Sequence, residues 1–278
     1  MGQAPSHGLN LQLGVQVMGI LNLTPDSFSD GGNVTSTEKL LANVKAMVQA
    51  GVGILDIGGE SSRPGADPVS LGDELNRVIP AIQAIRAHHS TPISIDTTKA
   101  EVARQALAAG ADIINDISGL RFDPDMIPLA VARNVPVIIM HMQGVPGNMQ
   151  QNPQYTDVIN DIKRDLQDWL DSALAQGMQR SQIILDPGIG FGKTLDHNLS
   201  ILKHLSSFND LGCPILLGHS RKRFIGTLLD EENPTKRDLG TAVISALAVT
   251  HGVSILRVHD VASTVQAVKL ARAITKAV

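Results

Sequence analysis

The chain has 278 residues, of which 43% are hydrophobic and 18% are charged, and its 23 basic and 27 acidic residues give a net charge of −4. This composition is typical of a globular protein with a sizeable core and excludes intrinsic disorder over most of the length. Nearly balanced charge argues against nucleic acid or an anionic membrane as a partner. No apolar run approaches the roughly 20 residues that span a bilayer. The one cysteine, Cys213, excludes an intrachain disulfide and a cysteine-based zinc site, and we predict a soluble, cytoplasmic protein.

Eight short runs rich in Ile, Val and Leu recur along the chain. They lie at residues 15–20, 53–57, 93–95, 113–114, 135–140, 183–185, 215–217 and 255–258. Apolar residues at successive positions indicate strands that are buried on both faces of a parallel sheet.

Longer segments with helical periodicity separate these runs. The predicted helices cover residues 37–50, 71–87, 101–109, 124–133, 157–175, 195–208, 241–250 and 261–277. Eight strand–helix units of roughly 35 residues each favour a single-domain (β/α)8 barrel of TIM type. An open doubly wound α/β sheet is the alternative. We assign residues 15–278 to the barrel and residues 1–14 to an N-terminal extension.

Polar or ionisable side chains follow every predicted strand. In chain order they include Asn22, Asp56, Asp96, Asn115, His141, Asp186, Lys222 and Arg257. In a (β/α)8 barrel the carboxyl ends of all strands meet at one rim, so these groups are expected to form an active site. The loops at residues 24–33 and 58–67 are rich in Gly, Ser, Pro and Asp, which is typical of lids and binding loops.

The residue types at this rim predict two kinds of ligand chemistry. A phosphate or diphosphate suits the residues that are cationic or can become so, which are Arg63, Lys222, Arg257 and His259. A flat heterocycle with a donor-rich edge suits Asp96, Asn115 and Asp186. Asn22 offers a neutral oxygen of the kind that Mg²⁺ prefers when it also binds phosphate and water.

Other polar residues have a structural interpretation beside the functional one. Asp56 either bonds loop amides or belongs to the site, and Glu60 either orients the loop of Arg63 or is merely solvated. Asp116 and Asp260 are interpreted as caps at the start of a helix or loop, and His141 as a supporting residue.

The segments at the strand ends resemble the signatures of a known family, the dihydropteroate synthases. Residues 18–32, MGILNLTPDSFSDGG, are similar to the first signature, and residues 56–65, DIGGESSRPG, to the second. Further matches are IDTTK at 95–99, INDI at 114–117, MHMQG at 140–144, DPGIGFGK at 186–193, SRK at 220–222 and RVHD at 257–260. They follow the order of the family over residues from about 15 to 260.

The resemblance implies a pterin-binding (β/α)8 barrel that uses Mg²⁺. The implied reaction condenses (7,8-dihydropterin-6-yl)methyl diphosphate with 4-aminobenzoate to give 7,8-dihydropteroate and pyrophosphate in folate biosynthesis. Such transferases are typically homodimers and are the target of sulfonamides. We expect C–O cleavage to come first, with Asp96 stabilising the developing positive charge and no strong general base.

The resemblance also implies a role for each matching residue. Asn22 matches the metal contact. The pterin positions are Asp96, Asn115, Asp186 and Lys222, and the diphosphate positions are Arg63, Arg257 and His259, with Ser62 and Val258 also assigned to the pterin diphosphate. The aminobenzoate positions are Ser62, Arg63, Pro64, Phe191, Ser220 and Lys222. The catalytic set is Asp96, Arg63, Lys222, Arg257 and His259.

Two residues depart from the family pattern. Ser62 stands where threonine is usual, which loosens packing against aminobenzoate or a sulfonamide, and His219 stands where smaller or apolar residues are familiar. Three alternatives stay open on the sequence: a pterin-dependent methyltransferase, a pterin-binding scaffold without turnover, and the same enzyme with lower sulfonamide sensitivity.

Overall fold

The computed structural model describes residues 14–23, 34–61, 63 and 65–277, except for the side chains of residues 34–36. Most of the predicted extension, the loop at 24–33, Ser62 and Pro64 therefore lie outside the described residues.

The described part of the chain contains eight strands and nine α-helices, and each strand is followed by one helix except β7, which is followed by two. The strands are β1 (Gln16–Asn22), β2 (Ile54–Gly58), β3 (Ile93–Asp96), β4 (Ile113–Asp116), β5 (Val137–Met140), β6 (Ile183–Asp186), β7 (Leu216–Leu217) and β8 (Ile255–Val258). The helices are α1 (Val34–Ala50), α2 (Leu71–Arg86), α3 (Ala100–Ala109), α4 (Met126–Arg133), α5 (Val158–Ala175), α6 (Leu195–Lys203), α7 (Arg223–Leu229), α8 (Asp238–Thr250) and α9 (Val261–Lys276).

The strands form a parallel barrel. Each hydrogen-bonds with its neighbour in the order β6-β5-β4-β3-β2-β1-β8-β7. A bridge between Leu185 and Ile215 joins the two ends, and the Leu185 amide donates to the Pro214 carbonyl at 2.9 Å. The predicted (β/α)8 barrel is thus confirmed, and an open sheet is excluded because β6 meets β7.

Apolar side chains fill the middle of the barrel. Seven strands each contribute one fully or almost fully buried residue: Met18, Ile54, Ile113, Ile138, Ile184, Leu216 and Ile255. Side chains two residues further along a strand point to the same face. On β2, β4, β6 and β8 those next inward positions are Asp56, Asn115, Asp186 and Arg257. An apolar floor therefore lies directly beneath a polar layer.

The helices pack their apolar faces against the outside of this barrel. α5 begins where the Asp157 side chain accepts from the amides of Ile159 and Asn160, and α3 ends at Gly110 in a left-handed conformation. Within the described residues, no helix is both long enough and apolar enough to cross a bilayer.

Several helix boundaries differ from the sequence prediction, and one helix was not predicted. The segment at 195–208 divides into α6 and a 3-10 helix, Leu205–Leu211. α8 begins three residues early, at Asp238, and α7 was not predicted. α7 has only seven residues with Gly226 among them, too short for a clear hydrophobic period.

Candidate active site

Arg257 joins two carboxylates at the mouth of the barrel. Its Nε donates to Asp56 Oδ2 at 2.6 Å and its Nη2 donates to Asp96 Oδ2 at 2.5 Å. Burial acts to lower the pKa of the Arg257 guanidinium, but these two carboxylates raise it. Arg257 is therefore a fixed cation that places Asp96, and Asp56 belongs to the site instead of merely bonding loop amides.

Asn115 and Asp186 complete the polar layer, and both are almost completely buried. Asn115 Nδ2 approaches both oxygens of Asp56 at 3.4 Å, a long contact. Asp186 Oδ1 accepts from the Gly188 amide at 2.7 Å. The charges of Lys222 and Arg257 act on the Asp186 carboxyl, which places residues from β6, β8 and the end of β7 at one mouth.

Three of these groups titrate close to neutral pH. Burial raises the pKa of Asp96 to about 7, against the opposing effect of Arg257, and raises that of Asp186 to about 6. Burial, with the nearby Arg257 charge, lowers the pKa of Lys222 to about 7. Small changes in the surroundings, such as binding of a charged ligand, will therefore change their protonation.

Lys222 lies over the ring of Phe191, with its Nζ 3.8 Å from the ring centroid. Phe191 belongs to the loop between β6 and α6, in which Gly188, Gly190 and Gly192 all have positive φ angles. This cation–π contact leaves an aromatic surface and an ammonium group side by side at the rim.

Ser220 and His259 are bonded to each other. Ser220 Oγ lies 2.9 Å from His259 Nδ1 and accepts from the His259 amide at 3.1 Å. Burial and the charges of Arg221, Arg257, Arg63 and Lys222 lower the pKa of His259 to about 3. The sequence grouped His259 with residues that are cationic or can become so, and its ring is neutral at pH 7 because it is buried and cations surround it.

The remaining predicted residues have different surroundings. Arg63 is exposed, and its charge helps to lower the pKa of His259. Val258 is fully buried. Asn22 is half-buried at the end of β1 and pairs in register with Gly58. Of the residues that the structure describes, no three His, Cys, Asp or Glu side chains form a group that could hold a metal ion.

Three residues outside the predicted catalytic and substrate-binding sets have structural roles. His219 is fully buried and its Nε2 lies 3.0 Å from both the Thr241 carbonyl and Ser245 Oγ, so it faces α8 and not the rim. Asp260 caps α9 by accepting from the Ser263 amide. Asp116 caps a turn, accepting from the Ser118 amide at 2.7 Å.

Comparison with known proteins decides the family. A family model described as pterin binding enzyme matches residues 18–259. The dihydropteroate synthase of Synechocystis sp. is 50% identical over 93% of this chain and 89% of its own length. The dihydropteroate synthase of Haemophilus influenzae is 45% identical over 94% of each chain. The chain belongs to the dihydropteroate synthase family.

Solved structures of this family have the same fold. The Yersinia pestis dihydropteroate synthase with a sulfonamide drug has a TM-score of 0.90, 43% identity and 97% coverage of each chain. The Xanthomonas albilineans dihydropteroate synthase in complex with 7,8-dihydropteroate has a TM-score of 0.86, 40% identity and 97% coverage of each chain.

The structure also brings together buried residues that the sequence reasoning did not assign to the dihydropteroate synthase site. Lys193 is 3% exposed, and its Nζ lies 2.9 Å from the Phe191 carbonyl and 3.1 Å from His141 Nδ1. His141 Nε2 in turn lies 3.3 Å from Asp165. The available signal was the position of Lys193 within the DPGIGFGK motif, two residues after Phe191.

Proposed function

We propose that this protein condenses (7,8-dihydropterin-6-yl)methyl diphosphate with 4-aminobenzoate, releasing 7,8-dihydropteroate and pyrophosphate. The observation that carries the proposal is the buried layer of Asp96, Asn115 and Asp186 at one barrel mouth, with Lys222 and Arg257 beside it. The membership of the chain in the dihydropteroate synthase family supports the same reaction.

The pterin ring is proposed to bind in the buried polar layer. Ionised carboxylates only accept hydrogen bonds, so Asp186 suits the amino and ring N–H groups of an aminopyrimidinone. Asn115 adds both a donor and an acceptor, and the Lys222 ammonium can donate to the ring carbonyl. The apolar floor below excludes water, which strengthens each of these polar contacts.

The diphosphate is proposed to lie toward solvent, near Arg63 and His259. Arg63 is an exposed cation, and a neutral His259 with Nδ1 bonded to Ser220 keeps its second ring nitrogen for a ligand. An incoming diphosphate would raise the pKa of His259, because an anion opposes the surrounding positive charge. Val258, being fully buried, is expected to contribute through its backbone alone.

Aminobenzoate is proposed to bind beside the ring of Phe191. The Lys222 ammonium already lies on that ring, and Ser220 lies two residues before Lys222. By resemblance to the family, Ser62 and Pro64 are proposed to contact the same substrate. A sulfonamide is expected to compete for this position, as its arylamine has the same shape.

The reaction is proposed to begin with C–O cleavage. The bonding electron pair leaves with the diphosphate, and the reduced pterin carries the positive charge on its methylene carbon. The amine lone pair then forms the C–N bond, and the amine proton leaves to diphosphate or solvent. Asp96 stabilises the cation electrostatically, whereas Arg63 and His259 bind the leaving group. An aryl amine is neutral at pH 7, so no general base is required.

Magnesium is proposed as the metal ion. Mg²⁺ keeps several waters and is usually bound through one or two protein oxygens and substrate phosphates. Asn22 offers a single amide oxygen at the rim. One protein oxygen is enough for an ion that also binds water and phosphate, but not for an ion held by protein ligands alone. When bound, the ion would neutralise charge on the diphosphate.

A pyrophosphate-release assay tests the proposed reaction. The purified protein is mixed with the pterin diphosphate, with and without aminobenzoate and Mg²⁺, and dihydropteroate is measured by chromatography. We expect pyrophosphate and dihydropteroate in equal amounts, only when both substrates are present. Pterin binding without pyrophosphate release would contradict the proposal and would favour a methyltransferase or an inactive scaffold.

We also propose a cytoplasmic homodimer, with the second copy on the outer face of α8 and α9. Leu239, Val243 and Leu247 follow one another at four-residue spacing on α8, and Leu270 and Ile274 do so on α9. All five are largely exposed, and apolar patches of this kind mark protein interfaces. Val243→Lys should give a monomer by light scattering, and Leu199→Lys on α6 should not. An unchanged mass for the Val243 variant would exclude this interface.

A further inference from the structure

The loop between β2 and α2 comprises residues 59–70, all described except residues 62 and 64, and the described part is fastened at its base. Arg77 Nη1 donates to the Gly59 carbonyl at 2.7 Å. The Val69 amide donates to Glu60 Oε1 at 3.4 Å, so the carboxylate at the start of the loop contacts the backbone at its end. Ser70 then caps α2. The loop is therefore closed at its neck, and Glu60 is the side chain that closes it.

Lys99 links Glu60, at the base of this loop, to helix α2. It lies three residues after Asp96, and its ammonium forms ion pairs with Glu60 and, at 2.6 Å, with Glu74 Oε2. Glu74 is completely buried on α2, and its other oxygen has no hydrogen-bond partner. Burial acts to lower the pKa of Lys99, but the hydrogen bonds to Glu60 and Glu74 raise it. The ammonium therefore stays charged.

The two carboxylates differ in freedom. Glu74 has no exposed side-chain surface and belongs to the packed wall, whereas the Glu60 side chain is 28% exposed and belongs to the loop. Removing Lys99 would leave the buried Glu74 carboxylate without its counter-ion, which would strongly destabilise the folded protein. Lys99 is thus anchored by Glu74 and uses its remaining hydrogen-bonding capacity on Glu60.

In the chain, Arg63 lies between Glu60 and Gly65, which makes a second contact of the same loop. The Gly65 amide donates to the Pro146 carbonyl at 3.3 Å, which ties the loop to the segment after β5. The charge of Arg63 reaches His259, on the opposite side of the β1 strand from β2. The loop therefore has one attachment point on each side of Arg63, whose charge acts on His259 at the mouth.

We propose that Lys99 is a positioning residue which, through Glu60, holds Arg63 over the substrates at the barrel mouth. The proposal rests on the proposed function, because it concerns the diphosphate and aminobenzoate end of that site. It predicts that breaking the Lys99–Glu60 pair affects the chemistry at the rim and not the binding of the pterin ring below.

Glu60→Gln is the decisive variant, because it removes the loop carboxylate and leaves the Lys99–Glu74 pair intact. We expect the KM for aminobenzoate to rise and kcat to fall, each about five- to tenfold, the scale of one partly exposed charged hydrogen bond. The affinity for a pterin without the diphosphate tail should stay within about twofold. Amide hydrogen exchange over residues 59–70 should become faster.

Glu101→Gln is the matched control. It makes the same substitution in an ion pair of α3, where Arg104 Nη2 lies 2.6 Å from Glu101 Oε1, on the exposed surface. It should behave as the wild type in all three measurements. A Glu60→Gln/Arg63→Met double variant should be no worse than Arg63→Met alone, because Glu60 is proposed to act through Arg63.

Three results would overturn the proposal. One is wild-type kinetics in Glu60→Gln, another is an equal loss of affinity for the tailless pterin, and the third is additivity with Arg63→Met. A wild-type protein that makes no dihydropteroate would instead refute the proposed function. The exchange rate of residues 59–70 would then still show whether Glu60 holds the loop, and an unchanged rate in Glu60→Gln would refute the proposed role of the Lys99–Glu60 pair.

Discussion

Asp96 and Lys222 are two residues at the mouth whose charges change near pH 7. Burial raises the pKa of the Asp96 carboxyl to about 7 and lowers that of the Lys222 ammonium to about 7. The proposed reaction uses Asp96 as an anion and Lys222 as a cation. The charge of Arg257 acts on both groups, lowering the pKa of Asp96 against the effect of burial and lowering that of Lys222 together with burial.

Replacing Asp96 with asparagine tests the electrostatic role of this carboxylate. Asp96→Asn keeps the shape and one oxygen but removes the charge, so we expect kcat to fall by about a hundredfold or more. Asp168→Asn, at an exposed site on α5, is the control and should leave kcat unchanged. A nearly normal kcat in the Asp96 variant would contradict the assigned role.

The pH dependence of kcat/KM should be a bell centred near neutrality. The rate rises with pH as Asp96 loses its proton and falls at higher pH as Lys222 loses its own. Lys222→Arg stays charged throughout this range, so its profile should lose the alkaline limb and keep the acid limb. A wild-type rate that is constant between about pH 6 and pH 8 would be inconsistent with both assignments.

At the scale of the element, the loop between β6 and α6 is packed backbone against backbone. A Cβ atom at Gly188 would lie 1.8 Å from the His141 carbonyl oxygen, and one at Gly192 would lie 2.6 Å from the Gln143 carbonyl oxygen. Both glycines have positive φ angles. The Lys193 ammonium joins the same two segments, since it contacts the carbonyls of His141 and Phe191. This loop is thus held rigidly, and Phe191 with it.

Gly188→Ala should therefore disrupt the element that carries Phe191. The backbone conformation and the contact with a carbonyl oxygen, which cannot rotate away, both oppose a methyl group. We expect a loss of about 3 kcal/mol or more in the free energy of unfolding, measured by urea denaturation. Gly72→Ala is the control, because its Cβ would meet nothing within 4 Å on α2. A stable Gly188 variant would mean that the two loops can separate.

At the scale of the whole molecule, the apolar floor supports the polar layer. Ile113 is 1% exposed and lies two residues before Asn115 on β4. Ile113→Ala should lower the free energy of unfolding by about 2–5 kcal/mol, through lost burial and the cavity that remains. Leu199→Ala, at a partly exposed position on α6, should change it by less than about 1 kcal/mol. Equal losses would show that the barrel interior is not the main source of stability.

The order of strands and helices, and the rim at which the polar residues meet, followed from the amino-acid order. Strand and helix periods are local properties, and parallel strands joined by helices bring their carboxyl ends together. The sequence alone therefore predicted that four residues would be neighbours: Asp96, Asn115, Asp186 and Arg257. α7 was not, because seven residues hold too little periodic information.

Packing alone decided which charges pair and which groups keep their protons. The sequence left Glu60 and Asp56 undecided, and the structure pairs them with Lys99 and Arg257. It also turns His219 toward α8 and keeps His259 neutral. Such outcomes depend on distances between segments far apart in the chain and on how much solvent each group loses. Neither quantity is a property of a residue and its neighbours in sequence, so only the closed barrel sets them.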